Sequence, residues 1–253
     1  MSWRRFKKKS SQFKTPPLPP VILNPQFIGI EEQASERLYG TTSKVFNITA
    51  PVGTDGAIFV ALVQKKNTGA EVSQITINGG DIVGANTSVS SNPLNRENQL
   101  AVFQYKGMPE GASIVSVAND DGVEGVSLIA VYYKNFTGLS GNFSSDRATG
   151  VQPKELIVGD AQKAVTAGNR GITVVFAGGL DHLVSEIPSP PYNEGVSEFG
   201  TTDVGDSQFN GKLKTAVDLQ MSGNTTDNRW KINWDQENVP AEVLTLFGEV
   251  INE

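Results

Sequence analysis

One histidine, His182, is all the imidazole chemistry this 253-residue chain holds, with Asp181 beside it and Ser185 three residues on. A Ser-His-acid triad would have to run through it. Adjacent side chains seldom meet on a strand or helix, and no Gly-x-Ser-x-Gly elbow occurs in the chain, so His182 reads as a loop or surface histidine. The absence of cysteine removes thiol nucleophiles, zinc-thiolate sites and disulfides together. Asp120, Asp121 and Glu124 share one loop, and Asp203 and Asp206 another, but neither group has the spacing of a calcium loop and both read as solvated turns. Among 27 acidic residues a carboxylate pair suited to glycoside hydrolysis always exists, and nothing singles one out. No catalytic residue, metal ligand or cofactor is expected.

Aromatic residues offer binding chemistry instead. Trp230 and Trp234 are four apart in a strand-like run and so point to one face. An exposed face would stack sugar rings, with Tyr132, Tyr133 and Tyr192 as further candidates; a buried face, the favoured reading, would be core.

The strongest feature is electrostatic. Residues 1–20 carry Arg4, Arg5, Lys7, Lys8, Lys9 and Lys14 and no anion, in a chain of net charge −6. Removing these six from 21 basic residues leaves 15 against 27 acidic ones, so the remainder stands near −12. The packing needs of an acidic domain do not explain a basic arm, so the arm has a partner of its own. Trp3, Phe6 and Phe13 add apolar anchors among the cations, which suits a protein groove at least as well as a phosphate backbone. Pro16, Pro17, Pro19 and Pro20 make the end of the arm an extended, semi-rigid spacer in polyproline II geometry.

Three zones result: a basic, proline-rich docking arm over 1–20, a connector over 21–43, and a body over 44–253. Residues 31–39 tolerate a short helix. No apolar run approaches the roughly 20 residues of a membrane helix, and prolines stand where a signal peptide would have its apolar stretch, so a soluble chain without an export signal is expected. From residue 44 onward, β-branched and aromatic runs alternate with Gly, Asn, Asp and Pro. Strands are expected over 44–50, 57–65, 71–78, 99–105, 113–118, 126–134, 154–159, 171–177, 213–221, 228–235 and 241–251. The stretch 57–63 is apolar on both faces and should be central; Val72, Gln74 and Thr76 alternate with Ser73, Ile75 and Ile77, giving one wet and one dry face. Turn signals stand at Asn78-Gly79-Gly80-Asp81, at Asp120-Asp121-Gly122 and in the Pro188, Pro190, Pro191 cluster. With no long helical period, the fold expected is all-β: an antiparallel two-sheet β-sandwich, jelly-roll-like, carrying an extended N-terminal arm. A single body is favoured over two smaller sandwiches in tandem.

The order of Ile75-Thr-Ile-Asn-Gly-Gly-Asp81, Gln99-Leu-Ala-Val-Phe-Gln-Tyr105, Met108-Pro-Glu-Gly-Ala-Ser-Ile-Val-Ser-Val117 and Gly125-Val-Ser-Leu-Ile-Ala-Val-Tyr-Tyr133 resembles the β-sandwich layout of tailed-bacteriophage virion proteins. Asp227-Asn-Arg-Trp-Lys-Ile-Asn-Trp-Asp235 and the closing strand resemble its return strands, so the likeness spans about two thirds of the chain. It implies a non-enzymatic component of a virion: a capsid decoration protein, a head-fibre base or a tail accessory subunit. The partners implied are capsid, portal or tail subunits, with a homo-oligomer, trimer or larger ring, as the usual assembly. Two other readings stay open. One is a receptor- or carbohydrate-binding module on a particle surface; the other is a coat subunit whose arm faces nucleic acid.

Overall fold

The computed structural model describes residues 24–34, 43–66, 72, 74–91, 96–118, 123–141, 143–159, 163–164, 166, 168–180, 184–186, 198–205, 209–219, 225–226 and 229–251. Among them every regular element is a β-strand, and all pairings are antiparallel.

The first half contains β1 (Gln26–Ala34), β2 (Ser43–Ala50), β3 (Gly56–Lys66), β4 (Gln74–Ile77), β5 (Asp81–Gly84), β6 (Thr87–Ser91), β7 (Arg96–Lys106), β8 (Gly111–Ala118) and β9 (Val123–Lys134). They form one sheet of order β1-β9-β3-β7-β6 and another of order β2-β8-β4-β5. The chain crosses between sheets at each of its first steps, and on its return β8 inserts between β2 and β4 and β9 between β1 and β3. This is jelly-roll topology, with β6 added as a hairpin to β7.

The second half contains β10 (Ser144–Gln152), β11 (Glu155–Val158), β12 (Lys163–Ala164), β13 (Arg170–Leu180), β14 (Val184–Glu186), β15 (Glu198–Gly205), β16 (Phe209–Leu219), β17 (Thr225–Thr226), β18 (Trp230–Trp234) and β19 (Val239–Val250). Its sheets run β10-β19-β13-β16-β15 and β11-β18-β14, with β12 and β17 pairing separately. Strand for strand, β10 replaces β1, β11 replaces β2, β13 replaces β3, β14 replaces β4, β15 replaces β6, β16 replaces β7, β18 replaces β8 and β19 replaces β9. The body is therefore two jelly rolls in tandem.

The two five-stranded sheets pack face to face, so the described residues form four layers around three cores. Phe46, Ile48, Phe59, Val115, Val117 and Leu128 fill the first roll. Ile58, Val60, Leu100, Val131, Val174, Phe176, Leu213 and Leu244 fill the seam between rolls. Val175, Trp230, Ile232, Trp234, Val243 and Phe247 fill the second roll. Strand β3 lies between the first two cores, which is why both its faces are apolar: Phe59 and Ala61 turn one way, Ile58 and Val60 the other. In the seam, β15 of the second roll touches β1 and β9, and β6 of the first touches the equivalent strands β10 and β19. Equivalent elements meet reciprocally, as in an isologous dimer.

Buried polar contacts tie the layers. Asn98 Nδ2 donates to Glu242 Oε2 at 2.8 Å across the seam, and both residues are fully buried. Trp230 Nε1 donates to Thr173 Oγ1 at 3.0 Å, joining the two sheets of the second roll. At one end of the first roll the Asp55 carboxylate accepts the backbone N–H of Asn135 at 2.7 Å and of Phe136 at 2.9 Å, satisfying donors just past β9.

Every strand expected from sequence is present. The turn at Asn78 and Gly79 has φ of 50° and 71°, and Gly80 N donates to Ile77 O at 3.1 Å, a hairpin of the primed kind. The all-β antiparallel sandwich class is as expected, and the described strands form two such sheet pairs. One expectation is corrected: residues 31–34 belong to strand β1, not to a helix, because β1 gains a full antiparallel partner in β9 and packs Ile28 against the first core and Phe27 and Ile30 against the seam.

Candidate functional site

The arm residues Trp3, Arg4, Arg5, Phe6, Lys7, Lys8, Lys9, Phe13 and Lys14 lie outside the described residues. The chain enters the body beside the end of β9: Asn135 Nδ2 donates to Asn24 O at 3.3 Å, and Pro25 is buried. The arm is thus joined to an anchored edge strand of the first roll.

Trp230 and Trp234 do share a face, and that face is core, with exposures of 0% and 1%. Neither ring is available for stacking, and Tyr132 and Tyr133 are buried too. Tyr192, His182, Asp181, Asp120, Asp121 and Asp206 lie outside the described residues. Among the described residues no group of three His, Cys, Asp or Glu side chains stands where it could hold a metal ion.

The described surface has three features. The outer face of the β2-β8-β4-β5 sheet presents Ser43, Val45, Asn47, Thr49, Gln74, Thr76, Ala112, Ile114 and Ser116, with no charge among them; Val45 is 52% and Ile114 48% exposed. A second feature is the Glu31 hub. Its Oε2 accepts the Tyr132 hydroxyl at 3.0 Å and the Thr49 N–H at 2.8 Å, and Oε1 accepts Gln33 Nε2 at 3.1 Å. Burial, then the negative charge of Glu31 and its hydrogen bond, push the Tyr132 phenol far above the usual 10.0. The exposed Asp81 likewise raises Tyr105, chiefly through their hydrogen bond.

Because the folded state holds the Tyr132 proton where the unfolded chain releases it, this contribution is complete below pH 10 and is lost as pH rises above it. Stability should fall there with an added slope of about 1.4 kcal/mol per pH unit. Urea titrations on either side of that pH should show a shallower decline in Tyr132→Phe; equal slopes would refute the assignment.

The third feature is a cavity of about 610 Å³ at one end of the second roll, lined by Pro153, Lys154, Glu155, Asn233, Trp234 and Glu237. Its walls come from the turn between β10 and β11 and from β18 with the turn after it, where Asn238 adopts a φ of 59°. Glu155 and Asn233 are cross-strand partners. Trp234 N donates to Lys154 O at 2.9 Å, and Lys154 N donates to Glu237 Oε2 at 3.0 Å, so both turns are tied together. Lys231 Nζ sits 2.5 Å from Glu155 Oε2. The Trp234 indole N–H is buried without a hydrogen-bond partner. Of these residues, sequence reading had singled out Trp234 alone, and for ring stacking; the others come from turns about 80 positions apart, with no spacing signal to connect them. Compared with protein-family models, curated proteins and solved structures, the chain gives no significant match to any of them.

Proposed function

We propose that this protein is a non-enzymatic structural subunit of a virus particle, of the tailed-phage type, that docks onto capsid, portal or tail subunits through residues 1–20. The observation that carries this reading is the charge split: six cations and no anion in the arm against a remainder near −12. Arg4, Arg5, Lys7, Lys8 and Lys9 would supply charge-assisted contacts to an acidic groove, and Trp3, Phe6 and Phe13 the desolvated anchors that dominate interface energetics. Lys14 and the prolines behind it would set reach. Jelly rolls recur in viral capsid proteins, which supports the reading by analogy of fold. The protein would reside in the virion as a homo-oligomer, a trimer or larger ring.

The test is affinity capture from an infected-cell lysate with the full-length protein and with residues 21–253, followed by mass spectrometry. Coat, portal or tail proteins retained by the full-length form alone are the expected result. Equal recovery by both forms would remove the arm from docking. Recovery of nucleic acid alone, lost steeply with added salt, would replace the protein partner by the genome.

A further inference from the structure

We propose that the outer face of the β2-β8-β4-β5 sheet is an interface between two copies of this chain, packed sheet to sheet about a twofold axis. The inference rests on the homo-oligomer of the reading above and names the face through which copies meet; the partner of the arm does not enter it.

The composition of this face sets it apart. Its nine described outward positions hold Ser, Thr, Asn, Gln, Ala, Val and Ile and no charge. In a chain that is 19% charged, with charge concentrated on surfaces, about two charged residues would stand there. The equivalent sheet of the second roll shows what a solvated face of this fold carries. Of its outward residues Glu155, Ile157, Lys231 and Asn233, two are charged, and Lys231 Nζ lies 2.5 Å from Glu155 Oε2. Both sheets have the same place in the same topology, so the fold does not require the difference. Val45 and Ile114, 52% and 48% exposed, are diagonal neighbours across the β2–β8 pair and form an apolar spot on the neutral face.

Charge selects the occupant. Outside the arm the chain stands near −12, so two copies repel across most surfaces and approach at least cost where neither brings a charge. A twofold interface sets a patch against itself, so a charged residue near the axis meets its own copy; a neutral patch carries no such penalty. The polar members suit self-pairing too. Ser, Thr, Asn and Gln side chains each donate and accept, so any of them can bond its equivalent or a neighbour on the second copy. The cationic arm gains nothing from this face, whose described outward positions offer it no carboxylate.

Sheet-on-sheet packing already occurs within the molecule, where the two five-stranded sheets meet with equivalent strands in reciprocal contact. At a strand spacing of about 4.8 Å and a rise of about 3.3 Å per residue, the four strands offer roughly 400 Å² per copy, about half of the ~800 Å² in a standard interface. The dimer is therefore reversible on its own, and it strengthens where other contacts in an assembly hold copies close.

Sedimentation velocity of the full chain, across the micromolar range and at about 0.05 and 0.5 M salt, tests this. The expected result is a concentration-dependent shift from monomer to dimer at both salts. Ile114→Lys, which sets like charges on the two copies, should weaken dimerisation at least about tenfold, while Ile157→Lys, the same change on the charged face of the second roll, leaves it unchanged. Circular dichroism and the unfolding midpoint establish that each variant is folded, and Val45→Lys takes the place of Ile114→Lys if that one is not. A chain monomeric at every concentration would overturn the proposal together with the homo-oligomer of the reading above, and would leave arm docking to the capture experiment. Dimers indifferent to the lysine on the neutral face, or weakened equally by Ile157→Lys, would overturn the proposal alone. So would dimers dissolved by the higher salt, which would join copies through the basic arm and an acidic body instead.

Discussion

Replacing Trp230 with alanine is expected to destabilise the protein by about 3–5 kcal/mol, the usual cost of emptying a buried aromatic site. The ring is fully buried between the two sheets of the second roll, among Val175, Ile232, Val243 and Phe247. Its indole N–H also spans the layers to Thr173 Oγ1 at 3.0 Å. The loss therefore has two parts, which Trp230→Phe separates: most of the apolar volume stays, the layer-spanning hydrogen bond goes, and the cost should drop to about 1 kcal/mol. Urea unfolding followed by circular dichroism measures both. A Trp230→Ala protein with an unchanged midpoint would mean that the ring is not in the core, and would return it to the surface for binding.

Phe176→Ala should cost a similar 3–5 kcal/mol, but with a wider consequence. Phe176 lies in the seam between the rolls, opposite Leu213 on β16 and Leu244 on β19, and is fully buried. The seam has been shaped for this ring: a Cβ on Gly211 would stand 2.7 Å from Phe176 Cε2 and 3.0 Å from the Ala177 carbonyl oxygen. Both rolls contribute to the same core, with Ile58, Val60 and Val131 from the first facing Val174, Phe176 and Leu246 from the second. Loss of the ring should therefore lower a single transition in which both rolls unfold together. Should the variant show two separate transitions, one at the wild-type midpoint, the rolls would be independent folding units with a merely contiguous surface. Trp230→Ala, remote from the seam, should move the same single transition.

The residues themselves explain how far the strands could be located in advance. Runs such as Val45 to Ala50 or Leu100 to Tyr105 are bounded by turn residues and carry their burial pattern in their own composition. Strands with little apolar content were invisible. β10, Ser-Ser-Asp-Arg-Ala-Thr-Gly-Val-Gln, is largely exposed along its length and exists because β19 offers it nine paired positions. β1 was obscured by Glu31, Glu32 and Gln33, which read as helix-tolerant; in the fold Glu31 is held by Tyr132 and Thr49, more than 15 positions away. The cavity was hidden for the same reason. Pro153 to Glu155 and Asn233 to Glu237 have no local relation, and only the pairing of β11 with β18 brings them together.

By itself the sequence determined the all-β class, most strand positions, the hairpin at Asn78-Gly79, the charge asymmetry of the arm and the same-face placement of Trp230 and Trp234. Each of these follows from local stereochemistry or from counting, which needs no knowledge of partners distant in the chain. The tertiary structure alone decided that the strands sort into two jelly rolls, that the tryptophan face is core, and that a cavity forms where two distant turns meet. Those outcomes depend on which strand pairs with which. Strand pairing is set by non-local hydrogen bonds and shared burial, and a single chain read in order carries no direct record of either.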